Sequence, residues 1–228
     1  MAPRDFRTRL TRRATRAGVS LSEEFVGKLT TYFELLERWN RKINLTALDD
    51  PDEAIDRLLL EPVIASRYLP GVAPLALMDV GSGGGSPALP LTLAGGERVR
   101  LTMVEVKTRK SAFLREAIRQ LELSNASVEN SRYEELLAKP ELHERFEAMS
   151  IRAVRLEPKL LMNLQAFLKP GAAMLLFRGP SGPDQPGTIM PPLEWQATVP
   201  LVESLRSRLT ILTKAVPRGT LTPPAVPR

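Results

Sequence analysis

The chain has 228 residues, of which 43% are hydrophobic and 25% are charged, a composition typical of a globular protein with one sizeable core. It contains no Cys, which excludes disulfide bonds and thiol chemistry. No apolar run approaches the length of a membrane-spanning helix, and the N-terminus lacks the apolar segment of a secretory signal. We therefore expect a cytoplasmic protein without membrane contact, and we expect it to be a monomer.

The net charge of +6 is concentrated at the N-terminus. Residues 1–20 contain six Arg and one Asp, a surplus of +5, whereas the remaining residues carry 26 basic and 25 acidic side chains. We predict that residues 1–19 form a flexible arm. Such a composition suits polyanion binding, because each contacted phosphate releases counterions. It is also typical of an organelle transit peptide and of a solvated tail.

Residues 20–70 are predicted to form a helical cap. Apolar residues recur every three or four positions between Phe25 and Ile43, which is the spacing of one helix face. Ser20 and Glu23 have the spacing of a capping box, so we expect the helix to begin there. A second helical pattern follows and is interrupted at Pro62.

Short apolar runs alternate with helical patterns from residue 71 to residue 216. Seven runs indicate strands, which lie within "LALMDV", "VRLTMVEV", "ASVEN", "ERFEAMSIRA", "AAMLLFRG", "WQATVPLVES" and "SRLTILTKAV". A helix opened by Pro158 and closed by Pro170 precedes the fifth run. This alternation predicts a doubly wound, Rossmann-like α/β sheet, followed by a flexible tail at residues 217–228.

A glycine-rich loop follows the first predicted strand. In "LMDVGSGGGSPALPL", Gly81, Gly83 and Gly85 permit unusual φ angles and close approach of a ligand to the backbone. Glu105 ends the next strand, where a carboxylate can accept hydrogen bonds from both hydroxyls of a ribose. Loop and acid together indicate a nucleoside-bearing cofactor. A dinucleotide fingerprint would have Gly or Ala in place of Ser86, and the absence of G-K-[ST] excludes a phosphate-binding P-loop. A purely structural turn would leave Glu105 unexplained.

The pattern acid-x-G-x-G-x-G resembles the cofactor loop of class I methyltransferases that use S-adenosylmethionine. The series "WNRKINLT", "DVGSGGG", "RKSAFL", "RYEE" and "IRA" further resembles the glucose-inhibited division protein B family, the small-subunit ribosomal RNA methyltransferase G. The resemblance runs from Leu21 to Lys214. It implies a bacterial cytoplasmic enzyme that transfers a methyl group from S-adenosylmethionine to N7 of a guanine in 16S rRNA, with free rRNA or the subunit particle as substrate.

The resemblance also implies a set of site residues. The cofactor would be bound by Gly81, Gly83, Ser86, Glu105, Tyr133, Glu134 and Arg152, and RNA by Arg109, Lys110 and Arg178. Among these, Glu105 would hold the ribose, and Tyr133 and Glu134 would flank the adenine. Structural alternatives exist for several of them. Glu134 could be a helix N-terminal charge, Arg152 a strand-end ion pair, and Arg109 and Lys110 a solvated helix start. In the cap motif, Trp39 lies on the apolar face and is expected to pack against the sheet.

Six positions depart from the family pattern, among them Ile151 in place of the Ser of S-R-A and Arg178 in place of a Lys before the late glycine. Where the family usually has H-x-x-D-S, this chain has Leu58, Glu61 and Pro62, and Ser86 replaces a bulky residue after the loop. These departures keep a second hypothesis open, a non-catalytic RNA-binding or ribosome-assembly protein on the same scaffold. The glycine loop and its acid alone would also permit an enzyme that acts on small molecules, either a methyltransferase or an oxidoreductase.

The residue inventory is compatible with methylation at guanine N7. That atom has an available lone pair, so catalysis can depend on positioning and electrostatics, and we assign no catalytic base. Methylation at a pyrimidine C5 would use a Cys nucleophile, which the chain lacks. His143 is the only His and is expected to be exposed, which makes zinc sites and Ser/His triads improbable. We therefore expect no metal site.

Overall fold

In a computed structural model, the described residues are 3–47, 50–152, 157–187 and 189–217. They contain a seven-stranded sheet with the order β3-β2-β1-β4-β5-β7-β6. Strands β1 to β5 are parallel, and β7 runs antiparallel to both β5 and β6. The strands are β1 (Leu75–Val80), β2 (Val99–Val104), β3 (Ala126–Glu129), β4 (Phe146–Arg152), β5 (Leu168–Arg178), β6 (Leu193–Pro200) and β7 (Arg208–Lys214). The predicted doubly wound α/β fold and its seven strands are confirmed.

Strand β1 is the topological switch point of the sheet. It pairs with β2 on one side and β4 on the other, and ligands of doubly wound sheets bind outside the strand carboxyl ends at such a point. The crossover helices are α5 (Ala88–Gly95), α6 (Thr108–Gln120), α7 (Tyr133–Leu137) and α8 (Pro158–Leu164). Helix α8 ends earlier than predicted, because β5 already begins at Leu168 and includes Pro170.

The cap consists of one long helix and a broken second one. These are α2 (Glu23–Ile43), α3 (Pro51–Ala54), a π-helical turn (Ile55–Leu60) and α4 (Glu61–Ala65). Ser22, not Ser20, caps α2 by accepting a hydrogen bond from the backbone N–H of Phe25, so the helix begins two residues later than the capping-box pattern suggests. The interruption expected at Pro62 is not a break in the chain's helical path: the backbone stays helical from the π-helical turn into α4, and Pro62 is the second residue of α4.

The N-terminal segment differs from the flexible arm that its composition predicts. Residues Pro3–Arg16 form helix α1, whose apolar residues Phe6, Leu10 and Ala14 are buried. Phe6 stacks on Phe33 of α2 with ring centroids 4.5 Å apart. The four-residue spacing of these apolar side chains lets one helix face join the core while the arginines stay outside.

Two predicted segments lie partly or wholly beyond the described residues. The predicted tail at 217–228 lies outside the described residues except for Pro217, as does the last residue of the "IRA" motif. No helix formed by described residues combines the length and apolarity needed to cross a membrane.

Candidate functional site

The glycine loop folds back over the end of the neighbouring strand. Gly81, Gly83 and Gly85 have φ angles of +77°, +53° and +84°, values that L-residues with a side chain rarely adopt. The backbone N–H groups of Gly81 and Ser82 both donate to the carbonyl of Val104, at 2.9 and 3.2 Å. The loop is therefore fixed at the carboxyl edge of the sheet, where β1 and β2 end.

Glu105 lies directly against this loop, as the sequence predicts. Its Oε2 accepts a hydrogen bond from the Gly83 N–H at 2.9 Å, and its Oε1 accepts one from the Lys107 N–H at 2.8 Å. The residue is only 6% exposed. Each carboxylate oxygen has about two acceptor positions, so both oxygens keep acceptor capacity for further donors. Asn130, which the sequence analysis did not single out, donates to the Glu105 carbonyl at 2.9 Å and joins the end of β3 to this group.

The first acid of the motif is a structural group beneath the loop. Asp79 is 1% exposed, and its Oδ1 accepts a hydrogen bond from the Ser150 hydroxyl. Burial raises the pKa of Asp79 to about 6, although hydrogen bonds from Ser150 and Ser82 oppose that effect. Asp79 thus ties β1 to β4 below the loop and does not line the cavity described next.

A cavity of about 540 Å³ opens between the loop, the cap and the ends of β4 and β5. Of the ten predicted site residues, its lining includes Gly81, Gly83, Ser86, Lys110, Arg152 and Arg178. The other four predicted residues, Glu105, Tyr133, Glu134 and Arg109, lie outside that lining. The cavity thus lies on the β4 side of the loop, and Glu105 lies on the other side, at the ends of β2 and β3.

Arg152 projects from the end of β4 into the wall of this cavity. Its Nη2 is 2.9 Å from Oε2 of Glu61, its guanidinium lies 4.6 Å from the ring centroid of Phe177, and its Nη1 donates to the carbonyl of Arg57. Burial lowers the pKa of Arg152, against the opposing effect of Glu61. Burial likewise raises the pKa of Glu61, against the effect of Arg152. The Arg152 Nε is buried and has no hydrogen-bond partner among the described residues.

Comparison with known proteins decides the family. The sequence profile described as GidB, rRNA small subunit methyltransferase G, matches residues 26–187. This chain belongs to the rRNA small subunit methyltransferase G family. A curated relative from Xanthomonas axonopodis pv. citri is 38% identical over 160 residues, which cover 70% of this chain and 72% of the relative. One from Acetivibrio thermocellus is 32% identical over 169 residues, covering 72% and 67%. The resemblance drawn from the ordered motifs is confirmed.

Solved structures agree on the fold. A SAM-dependent methyltransferase from Aquifex aeolicus is 16% identical and covers 74% of this chain and 95% of its own, with a TM-score of 0.54. An O-methyltransferase from Bacillus cereus in complex with SAH is 15% identical and covers 81% and 91%, with a TM-score of 0.57. At these identities the similarity establishes the class I methyltransferase architecture.

Leu58, Glu61 and Ser86, which depart from the methyltransferase G family pattern, line the cavity, and Pro62 directly follows Glu61 in α4. Pro62 has no N–H, so it cannot donate to a carbonyl of the preceding turn. In that turn the Leu58 carbonyl accepts a hydrogen bond from the Ser86 hydroxyl at 2.8 Å. The carbonyl of the preceding residue, Arg57, accepts the bond from Arg152. Glu61 supplies the carboxylate that pairs with Arg152. The Ser86 hydroxyl and Arg152 thus both hold the cap turn, Ser86 against the loop and Arg152 against the end of β4.

Two polar residues of the cap, Tyr32 and Asn40, position the rest of the wall. The Tyr32 hydroxyl donates to the Gly84 carbonyl at 2.6 Å. Asn40 Oδ1 accepts from the N–H groups of Leu45 and Thr46 at 2.6 and 2.8 Å, and its Nδ2 donates to the Thr46 carbonyl at 3.0 Å. Sequence reasoning missed both roles. The "WNRKINLT" motif was the available signal for Asn40.

Trp39 packs as expected. Its ring meets that of Phe113 in α6 edge to face, with centroids 5.8 Å apart. It thus joins the cap to the sheet domain through an apolar contact.

Tyr133 and Glu134 begin α7 on the Glu105 side of the loop. Tyr133 is partly buried and Glu134 is exposed. Burial raises the pKa of Tyr133, while a hydrogen bond with Asn163 opposes that effect. Glu134 is in the first turn of the helix, where the helix dipole stabilises a negative charge. Its position therefore also agrees with the alternative interpretation of Glu134 as a helix N-terminal charge.

The predicted RNA-binding cations occupy different positions. Arg109 and Lys110 line a separate hollow of about 330 Å³ together with Asn44, and Lys110 lines the main cavity as well. Arg178 is at the cavity edge, but its Nη1 also donates to the Pro183 carbonyl at 2.9 Å and to Thr210 Oγ1 at 3.2 Å. Part of its hydrogen-bonding capacity is therefore used to hold the 180–184 loop.

His143 is exposed, as predicted. It lies before the amino end of β4, and its Nε2 is 2.8 Å from the Leu137 carbonyl oxygen. Within the described ranges, no group of His, Asp and Glu side chains is arranged to hold a metal ion.

Proposed function

We propose that this protein transfers a methyl group from S-adenosylmethionine to N7 of a guanine in 16S rRNA. The observation that carries the proposal is the contact between the Glu105 carboxylate and the Gly83 N–H at 2.9 Å, at the sheet edge where nucleoside cofactors bind in this architecture. Membership of the rRNA small subunit methyltransferase G family, and the relatives' names, give the reaction class and the substrate.

The residues present fit such a cofactor. A Cβ placed on Gly83 would meet no atom closer than 3.7 Å, so the bare loop offers open space for a ligand against the backbone. Both Glu105 oxygens keep acceptor capacity, which suits the two hydroxyls of a ribose. Tyr133 and Glu134 lie on the same side of the loop and would flank the adenine. Gly81, Ser86 and the buried, partly unpartnered Arg152 would face the methionine end.

The chemistry requires little from the protein beyond positioning. When bound, S-adenosylmethionine supplies a methyl group on a positively charged sulfur. Guanine N7 has a free lone pair and loses no proton before attack, so no general base is needed. The carboxylate in the described cavity lining, Glu61, is already paired with Arg152. The cap residues Leu36 and Leu45 close the cavity and would exclude water from the reacting atoms.

The cavity also suits a nucleic acid substrate. Its described lining contains the cations Arg57, Lys110, Arg152 and Arg178 against the single carboxylate of Glu61. This surplus of positive charge favours an approaching phosphate backbone. We accordingly propose Lys110, with Arg109 and Arg178 around it, as contacts for the RNA backbone beside the target base.

Mapping of modified nucleosides tests the proposal. Small-subunit rRNA from a strain without the protein should lack one N7-methylguanosine, and the purified protein with S-adenosylmethionine should restore it. Glu105→Gln should weaken S-adenosylmethionine binding by calorimetry, because the amide replaces one acceptor oxygen with a donor. The matched control is Glu141→Gln, an exposed acid between α7 and β4, which should bind normally. RNA binding without any methyl transfer would support the assembly-protein hypothesis.

A further inference from the structure

The outer face of helix α1 carries a positive charge that the fold itself does not use. Arg7, Arg12 and Arg16 are exposed and form no ion pair with another described residue. Arg12 and Arg16 are four residues apart, a spacing at which like charges destabilise a helix by about 0.2–0.5 kcal/mol. An external anion between Arg12 and Arg16 would relieve this repulsion.

Arg9 and Arg13 of α1 form ion pairs with the cap. Arg13 donates from Nε to Asp56 Oδ1 at 2.6 Å and also pairs with Asp52 at 3.0 Å, and Arg9 reaches Asp52 at 3.4 Å. Asp56 immediately precedes Arg57, which lines the cavity. These pairs fix α1 to the cap turn that forms the cavity wall, so the exposed arginines have a rigid support on that cap.

A groove of about 580 Å³ runs beside the exposed arginines. It is lined by Arg7, Thr8, Thr11 and Arg12 of α1 together with Glu23 and Val26 of α2. Guanidinium groups bind phosphate oxygens through paired N–H donors, and threonine hydroxyls can add further hydrogen bonds. Arg7 and Arg12 border this groove on its two sides. Arg16 follows Arg12 by one helical turn, about 6 Å along the axis, so a strand that crosses the groove can contact Arg7, Arg12 and Arg16 in turn.

We propose that the exposed half of α1 binds the phosphate backbone of the RNA substrate, with Arg7 and Arg12 bordering the groove and Arg16 one turn beyond Arg12. The inference rests on the proposed function for the identity of the polyanion. The helix lies outside residues 26–187, the part matched by the family profile. It supplies most of the chain's net charge. It extends the RNA contact beyond the cavity and orients the substrate on the cap.

A triple variant, Arg7→Gln with Arg12→Gln and Arg16→Gln, tests the surface. The matched control replaces three exposed cations near the opposite sheet edge, namely Arg100→Gln, Lys139→Gln and Arg145→Gln. The readout is the affinity for a 16S rRNA transcript between 50 and 300 mM salt, roughly the range over which phosphate contacts dominate. Three lost contacts should weaken binding roughly 10-fold or more at the lowest salt and lower the slope of log K against log salt by about 3. The control should keep the wild-type slope.

The outcomes separate this inference from the proposed function. Equal affinities and slopes for all three proteins, with wild-type methyl transfer intact, overturn the α1 surface alone. If the wild-type protein transfers no methyl group and the triple variant loses RNA affinity, the proposed function is overturned. The RNA-binding role of α1 is then still supported. Anionic phosphatidylglycerol vesicles serve as a second polyanion, and a triple variant that loses only vesicle binding also overturns the proposal. If the triple variant unfolds at the assay temperature, the three single variants, each expected to lower the slope by about 1, provide the test.

Discussion

Two glycines of the same loop should respond differently to the same substitution. Gly83 and Gly85 both have positive φ angles, but their surroundings differ. A Cβ on Gly85 would lie 2.6 Å from Cδ1 of Leu89 and 3.3 Å from Cδ2 of Leu114, and both leucines are fully buried. A Cβ on Gly83 would enter open space at the cavity edge. We predict that Gly85→Ala damages the fold and that Gly83→Ala damages ligand binding.

The structure sets the magnitudes. An Ala in the left-handed region costs roughly 1–2 kcal/mol at either position. Gly85→Ala adds overpacking of the Leu89 side chain, about 1–3 kcal/mol more, so its free energy of unfolding should fall by about 2–5 kcal/mol. Gly83→Ala should lose only the backbone contribution. A ligand that lies against the Gly83 backbone would meet the new methyl group, and a similar 1–3 kcal/mol corresponds to a roughly 5- to 150-fold loss of affinity.

Urea unfolding and calorimetric titration with S-adenosylmethionine measure the two effects separately. Gly83→Ala should keep most of the wild-type stability and lose affinity for S-adenosylmethionine. Gly85→Ala should lose more stability than Gly83→Ala and less affinity. Wild-type affinity in Gly83→Ala would refute the argument that the backbone is bare to admit a ligand. Undiminished stability in Gly85→Ala would refute the packing argument.

Three further predictions concern the groups around the loop. Burial raises the pKa of Asp79 from 3.8 to about 6. The contribution of the protonated Asp79 carboxyl group to the free energy of unfolding is therefore complete below about pH 4 and is lost as the pH rises through about 6. Asp79→Asn should therefore gain about 2 kcal/mol relative to wild type between pH 4.5 and 7.5, and an equal difference in urea midpoints at both pH values would contradict this. Asn40→Ala removes three hydrogen bonds to the loop at 44–46 and should cost about 2 kcal/mol, together with weaker ligand binding, by thermal unfolding and titration. Asp56→Ala breaks a buried pair with Arg13 and should cost about 3–5 kcal/mol, whereas the exposed control Asp5→Ala should cost about 1 kcal/mol or less.

Much of the site could be predicted because strand order and strand ends are encoded locally. The apolar runs define β1 and β2, and adjacent parallel strands bring Glu105 and the glycine loop to one edge. Which of the predicted residues line the cavity was not predictable. It depends on the cap lying over the β4 side, where Tyr32 bonds to the Gly84 carbonyl across 52 residues of chain.

The α1 helix illustrates how composition can conceal a pattern. Its arginines indicate an arm exposed to solvent, and the spacing of Phe6, Leu10 and Ala14 becomes informative only once α2 offers Phe33 and its neighbours as a partner. Similarly, Leu58, Pro62 and Ser86 look like independent losses in the sequence. In three dimensions the Ser86 hydroxyl bonds to the Leu58 carbonyl in the turn that precedes Pro62.

By itself, the sequence determined the alternation of strands and helices, the position of the glycine loop and the family, because these follow from the local order of residues along the chain. Only the tertiary structure decided which polar groups meet: Glu105 with the Gly83 N–H, Arg152 with Glu61, and the arginines of α1 either with Asp52 and Asp56 or with solvent. The physical reason is that hydrogen bonds and ion pairs act over about 3 Å. Residues far apart in the chain reach that distance only when the apolar faces of cap and sheet have packed together.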